Sequence, residues 1–329
     1  MEHDLPVLRA DFAPVHLSTR HLSVRKRVEQ WHDVVGRQLL RIDSEPLRDS
    51  DVEFDADLTL RALPGIRMAT GSVGGSRDRR TRELTHDGND DVVLLVNLSG
   101  PLQVAQRQFE TVALADECLV LTCSEPAAVC RPLPGRALAL FLSRARLAPL
   151  VESLDDAHGR IPSAGLEAMR LLTSYLLVLN GFPGCAAPDL CGAIGQHVFD
   201  LAAVAIGARK ECANDAFMQS VPAVRLRVLM ADIVRNAGSP DYSLGKLAAR
   251  HRLTQRQIQR LFAKRGTTFS KFLLGERLSR AHRVLSNLRV SEVRISDVAH
   301  ACGFGDLSYF NRTFLARYGV SPTELQKRK

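Results

Sequence analysis

The chain has 329 residues, 45% of them hydrophobic and 24% charged, values that place it among globular proteins and exclude a disordered or collagen-like chain. Its net charge of +8 conceals a division: from Val221 onward there are 21 Lys and Arg against 7 Asp and Glu, a net +14, whereas residues 1–220 hold 23 against 29, a net −6. The seven cysteines are scattered without a C-x-x-C pair, which argues against a disulfide framework or a zinc knuckle and for reduced thiols.

In chain order, residues 1–18, with Pro6 and Pro14 and no clear period, are expected to form a flexible arm. The opening Met1-Glu-His-Asp lacks the basic and apolar regions of a signal peptide, so a cytoplasmic location is expected. Arg20 to Leu40 reads as a helix with Val24, Val28, Trp31, Val35 and Leu39 on one stripe. Between about residues 52 and 142 the pattern changes to short apolar runs cut by turn residues, which predicts strands closed into a small barrel or sandwich. The runs begin near Leu58 to Ala62, include Val92 to Leu98, and end with Ala137 to Leu142. Barrels of this size can hold one small ligand. Leu166 to Leu179 and Leu190 to Ala208 follow as amphipathic helices. They suit a cap on the barrel or a homodimer seam equally well. The most apolar helical run, Leu171 to Leu179, is interrupted by Thr173, Ser174 and Tyr175 and is too short for a membrane span. Residues 210–221 are polar and weakly periodic, a linker at the point where the charge changes.

Residues 222–329 contain one pattern twice. Leu247-Ala248 leads through a turn at Arg252-Leu253 into Thr254 to Phe262. Val298-Ala299 leads through Gly303-Phe304 into Asp306 to Phe314. Each reads as a helix-turn-helix unit, with Thr254 and Asp306 as N-caps. Ile258, Phe262, Phe310 and Phe314 are assigned to cores. Gln255, Arg256, Gln259 and Arg260 remain on the outer face of the first recognition helix, and Ser308, Asn311 and Arg312 on that of the second. Arg pairs with guanine and Gln with adenine through two hydrogen bonds each, so this composition suits the major groove. Ser270 to Leu285 is a long helix between the units, and Ser321-Pro-Thr-Glu324 reads as a capping box.

The stretch GFGDLSYFNRTFLARYGVSPTEL, from Gly303 to Leu325, resembles the signature of the AraC/XylS family of bacterial transcription regulators, and Leu247 to Leu273 is similar to that family's first unit. The strand region ahead of them resembles the family's cupin-like sensor barrel. The resemblance implies an α+β chain, with a cupin-like β-barrel and flanking helices over residues 19–209 followed by an all-α double helix-turn-helix domain. It implies reading of two successive major-groove segments, at Arg256, Gln259 and Arg260 and at Ser308, Asn311 and Arg312. One departure stands out: Arg252 occupies a turn position where the family usually has glycine.

No H-x-H or H-E-x-x-H spacing occurs, so no metal, cofactor or enzymatic activity is expected. The basic stretch from Arg77 to Arg82 reads as a solvated loop, or as the entrance for a carboxylate ligand. Arg80, Asn97 and Arg131 are candidate polar contacts for an effector. The expectation is a sequence-specific, ligand-responsive activator whose partners are double-stranded DNA, a small-molecule effector and RNA polymerase. A thiol sensor using Cys118, Cys123 or Cys130, and a ligand-independent dimeric regulator, are the alternatives.

Overall fold

The computed structural model describes residues 8–32, 36, 40–47, 54–154, 156–161, 165–185, 187–287 and 293–327. The chain forms two compact units, Met1–Val221 and Pro222–Lys329, and the division falls in the first turn of a helix.

The first unit holds β1 (Val15–Ser18), α1 (Val24–Gln30), β2 (Asp43–Pro46), β3 (Ala56–Leu63), β4 (Ile66–Val73), β5 (Ser76–Arg80), β6 (Val92–Ser99), β7 (Leu102–Gln106), β8 (Phe109–Ala113), β9 (Cys118–Thr122), β10 (Ala127–Arg131), β11 (Gly135–Leu142), α2 (Arg144–Leu147), β12 (Gly159–Arg160), α3 (Leu166–Leu179), α4 (Pro188–Ile206) and α5 (Lys210–Met218). The strands make two antiparallel sheets, in the orders β1-β3-β4-β11-β6-β9-β12 and β2-β5-β10-β7-β8. Val93, Leu95 and Leu121 of the larger sheet pack with Leu102 and Val104 of the smaller one. The run Val92 to Val96 is buried on both faces, which is why β6 reads as continuous apolar sequence and not as alternation. Helix α4 is long and apolar enough to cross a membrane by length and composition. More than half of it is buried in this unit, where it packs on α3 and, at Gly195, against Ile66 of β4.

Three expectations need correction. From Leu8 on, the expected arm belongs to the fold: β1 pairs with β3, and Phe12 is 1% exposed. Arg61 holds it there, donating to the carbonyls of Phe12 (2.7 Å) and Asn180 (2.6 Å) with its guanidinium over the Phe12 ring. The expected linker contains helix α5. The basic stretch expected as a loop is β5, paired with β10 on one side and β2 on the other. Its period-2 alternation buries Ser76, Asp78 and Arg80 and turns Arg77 outward. Val35 and Leu39 of the first helical stripe, residue 52, and Arg328-Lys329 lie outside the described residues.

The second unit holds α6 (Ser220–Asn236, begun in the first unit), α7 (Leu244–His251), α8 (Gln255–Ala263), α9 (Phe269–Asn287), α10 (Ile295–Ala301), α11 (Leu307–Tyr318) and α12 (Pro322–Lys327). It has two apolar centres. One gathers Leu229 and Ile233 of α6, Leu247, Ile258, Phe262 and Leu273. The other gathers Leu278, Ala281 and Leu285 of α9 with Val298, Phe304, Phe310 and Phe314. Helix α9 therefore contributes its first half to one centre and its second half to the other.

Candidate DNA interface and barrel cavity

Each of the two helices that the sequence marks as a recognition helix is a capped helix seated on its own core. Thr254 caps α8 in a reciprocal box: its hydroxyl accepts from the Gln257 amide, and the Gln257 side chain accepts from the Thr254 amide. Asp306 caps α11 through the Tyr309 amide at 2.6 Å. Ile258 and Phe262 face the first core, and Phe310 and Phe314 the second. Gln255, Arg256, Gln259 and Arg260 are all exposed on α8, as are Ser308, Asn311 and Arg312 on α11. Among the described residues Arg256, Arg260 and Arg312 have no acidic partner, so these cations stand ready for an external anion or base edge.

The structure adds side chains that sequence reasoning passed over. Tyr309 is 43% exposed on α11, and the Arg312 guanidinium lies 5.8 Å from its ring centre. Leu307 is exposed beside them. The signal was present: Tyr309 sits beside the Phe310/Phe314 stripe, with its ring against Phe304 at 6.5 Å on one side and open to solvent on the other.

The turns differ in kind. Gly303 has φ +88, and a Cβ there would lie 2.4 Å from the Ala237 carbonyl oxygen. Arg277 of α9 fills the adjoining space, donating to the carbonyls of Ala237 (2.9 Å) and Ser239 (2.8 Å) at the end of α6. Arg252 takes the left-handed conformation itself, with φ 52 and ψ 40, and is exposed. The first turn is therefore the one glycine would make, formed without glycine. Behind it, the buried Asp232 carboxylate of α6 accepts from Arg250 (2.7 Å), His251 (3.0 Å) and Tyr242 (3.2 Å), tying the end of α7 to α6.

In the first unit a cavity of about 140 Å³ lies between the sheets, lined mainly by apolar residues such as Leu58, Val93, Leu95, Val129 and Phe141. Arg80 and Arg131 line it; Asn97 does not. The Asn97 amide donates to the carbonyls of Gly100 and Ala113, 2.8 Å each, and fastens the β6–β7 turn. Arg80 is held in the wall by the carbonyls of Cys123 (2.6 Å) and Arg41 (2.9 Å) and by Asp87 (2.7 Å). Arg131 pairs with Asp78, which also accepts from Ser44. Asp78 was not singled out from sequence, because an inward carboxylate breaks the apolar alternation that marks a strand. Burial pushes the Cys118 thiol up to about 12 and that of Cys123 up to about 11, leaving almost no thiolate at neutral pH.

The AraC-binding-like domain family matches residues 31–207 of this chain, and a helix-turn-helix domain family matches residues 247–328. The chain belongs to the AraC/XylS family. It is a DNA-binding transcription regulator. Relatives within the family agree: the transcriptional activator RhrA of Rhizobium meliloti is 29% identical over 73% of this chain and 74% of its own. The transcriptional activator NphR of a Rhodococcus species is 24% identical over 94% of this chain and 92% of its own. The crystal structure of the AraC-like transcriptional activator CuxR covers 88% of this chain and 100% of that one, at 15% identity and a TM-score of 0.47. For an AraC/XylS protein the two units thus carry the expected labels, an AraC-binding-like half and a helix-turn-helix half.

Proposed function

We propose that α8 and α11 are the base-reading helices of a ligand-responsive activator that works in the cytoplasm as a regulator and not as an enzyme. The observation that carries this reading is the pair of capped helices, each seated on a separate aromatic or aliphatic core and each presenting exposed Arg that has no acidic partner among the described residues, together with Asn, Gln or Ser. Arg256, Gln259 and Arg260, with Gln255 beside them, read one major-groove segment. Ser308, Asn311 and Arg312 read the next. The barrel cavity binds a small effector, which shifts the population toward conformations competent for DNA and for RNA polymerase. The α3–α4 pair is the proposed homodimer seam. The domain limits that follow are a sensor up to residue 221 and a DNA-binding domain from 222.

Binding measurements on operator and on unrelated DNA test this. Arg260→Ala and Arg312→Ala are each expected to cost about 1–3 kcal/mol on the operator and to relax base preference at one position. Equal losses on both DNAs would make these residues phosphate contacts and sink the base-reading assignment.

A further inference from the structure

The charges around the barrel cavity are already balanced, and that limits what the cavity can accept. Among the described residues its charged lining consists of Asp78, Arg80 and Arg131. Arg80 has Asp87 behind it, with only 5% of its side chain exposed, and Arg131 has Asp78. Each cation of the described wall thus already faces a carboxylate of its own. A carboxylate ligand would bring a third anion to two cations. Were it to displace Asp78 from Arg131, it would leave Asp78 buried without a cationic partner, which is costly. An ammonium ligand meets the converse problem. The rest of the described wall is mainly aliphatic and aromatic, and a largely apolar cavity of about 140 Å³ has room for a molecule about the size of benzene.

Asp78 and Arg131 come from the neighbouring strands β5 and β10, so their side chains form a fixed acceptor and donor side by side in the cavity wall. We propose that the effector is an uncharged, largely apolar molecule of about this size carrying a hydroxyl group. The hydroxyl donates to Asp78 and accepts from Arg131, and its ring or branched body fills the space among Leu58, Val93, Leu95, Val129 and Phe141. This inference rests on the reading of the cavity as the effector site. It also replaces the carboxylate suggested by the basic stretch from Arg77 to Arg82, because that stretch is a strand whose inward cation is already paired.

The cavity carries its own reporter. Trp31, the one tryptophan of the chain, lines it and donates from Nε1 to Ser44 Oγ at 2.7 Å, and Ser44 in turn donates to Asp78. The full chain is titrated with phenol, toluene and benzoate, following Trp31 emission and the heat of binding. Phenol is expected to bind about tenfold or more tightly than either of the others, since hydrogen bonds to charged groups contribute at that level. The double variant Asp78→Leu, Arg131→Met is expected to lose phenol's advantage over toluene while keeping toluene binding. Benzoate binding as tightly as phenol would overturn the uncharged class. Toluene equalling phenol in the unaltered chain would overturn the Asp78–Arg131 head group and leave the cavity reading intact. No response to any of the three, toluene included, would remove the effector site itself. The ranking in the unaltered chain decides the matter even if the double variant fails to fold.

Discussion

Two turn residues, Arg252 and Gly303, do the same backbone work under different constraints. A left-handed residue other than glycine costs about 1–2 kcal/mol, and Arg252 accepts that cost because its side chain points into open solvent. Gly303 has no such freedom, since the Ala237 carbonyl and Arg277 occupy the place of its Cβ. Arg252→Gly is therefore expected to raise unfolding stability by about 1 kcal/mol in urea titration. The same change is expected to weaken binding equally on specific and unrelated DNA and to lower the salt slope by about one, the mark of a lost phosphate contact. Gly303→Ala is expected to destabilise the protein by roughly 1–3 kcal/mol in the same titration, because both φ and space oppose it. A neutral result at Gly303 would mean that the turn and the Arg277 contact can shift together.

At the scale of elements, α6 supplies the anchor for α7. Burial alone would push Asp232 up, but hydrogen bonds and charges from His251 and Arg250 outweigh it and hold the carboxyl below its ordinary value. A depressed carboxyl stabilises the fold above the unfolded value, near pH 4, and that contribution is lost as pH falls through the lower folded value. Asp232→Asn is expected to flatten the acid side of the stability-against-pH curve, measured by denaturation between about pH 2 and 6. It also removes the negative charge and one of the two accepting oxygens, so Arg250 and His251 no longer both find an acceptor, at about 1–3 kcal/mol near neutrality. An unchanged acid slope would show that Asp232 is not depressed by its partners.

For the whole molecule, charge and packing divide at the same place. The second unit has two cores of its own and all of the excess positive charge, a net +14 against −6 for the rest of the chain. Residues 222–329 alone are expected to unfold cooperatively and to bind operator DNA with a steep loss of affinity as salt is raised, checked by circular dichroism and by binding at several ionic strengths. A fragment that folds and binds no operator would show that the reading helices need the first unit.

The helix-turn-helix half was legible because its determinants are local. Caps such as Thr254 and Asp306, the 3–4 spacing of Ile258 with Phe262 and Phe310 with Phe314, and the glycine at 303 each act within a few residues of chain. The apolar strands β6, β9 and β11 were legible for the same reason. The N-terminal segment, β5 and the cavity were not, because their determinants are distant in sequence. Phe12 is held by Arg61, 49 residues away, and Arg131 meets Asp78 across 53. Inward polar residues in β5 also erased the alternation that would have marked it as a strand. The sequence by itself therefore determined that this protein is a DNA-binding regulator with two helix-turn-helix units. Only the tertiary structure decided what faces the barrel cavity, because a side chain's charge is compensated by neighbours that strand pairing selects.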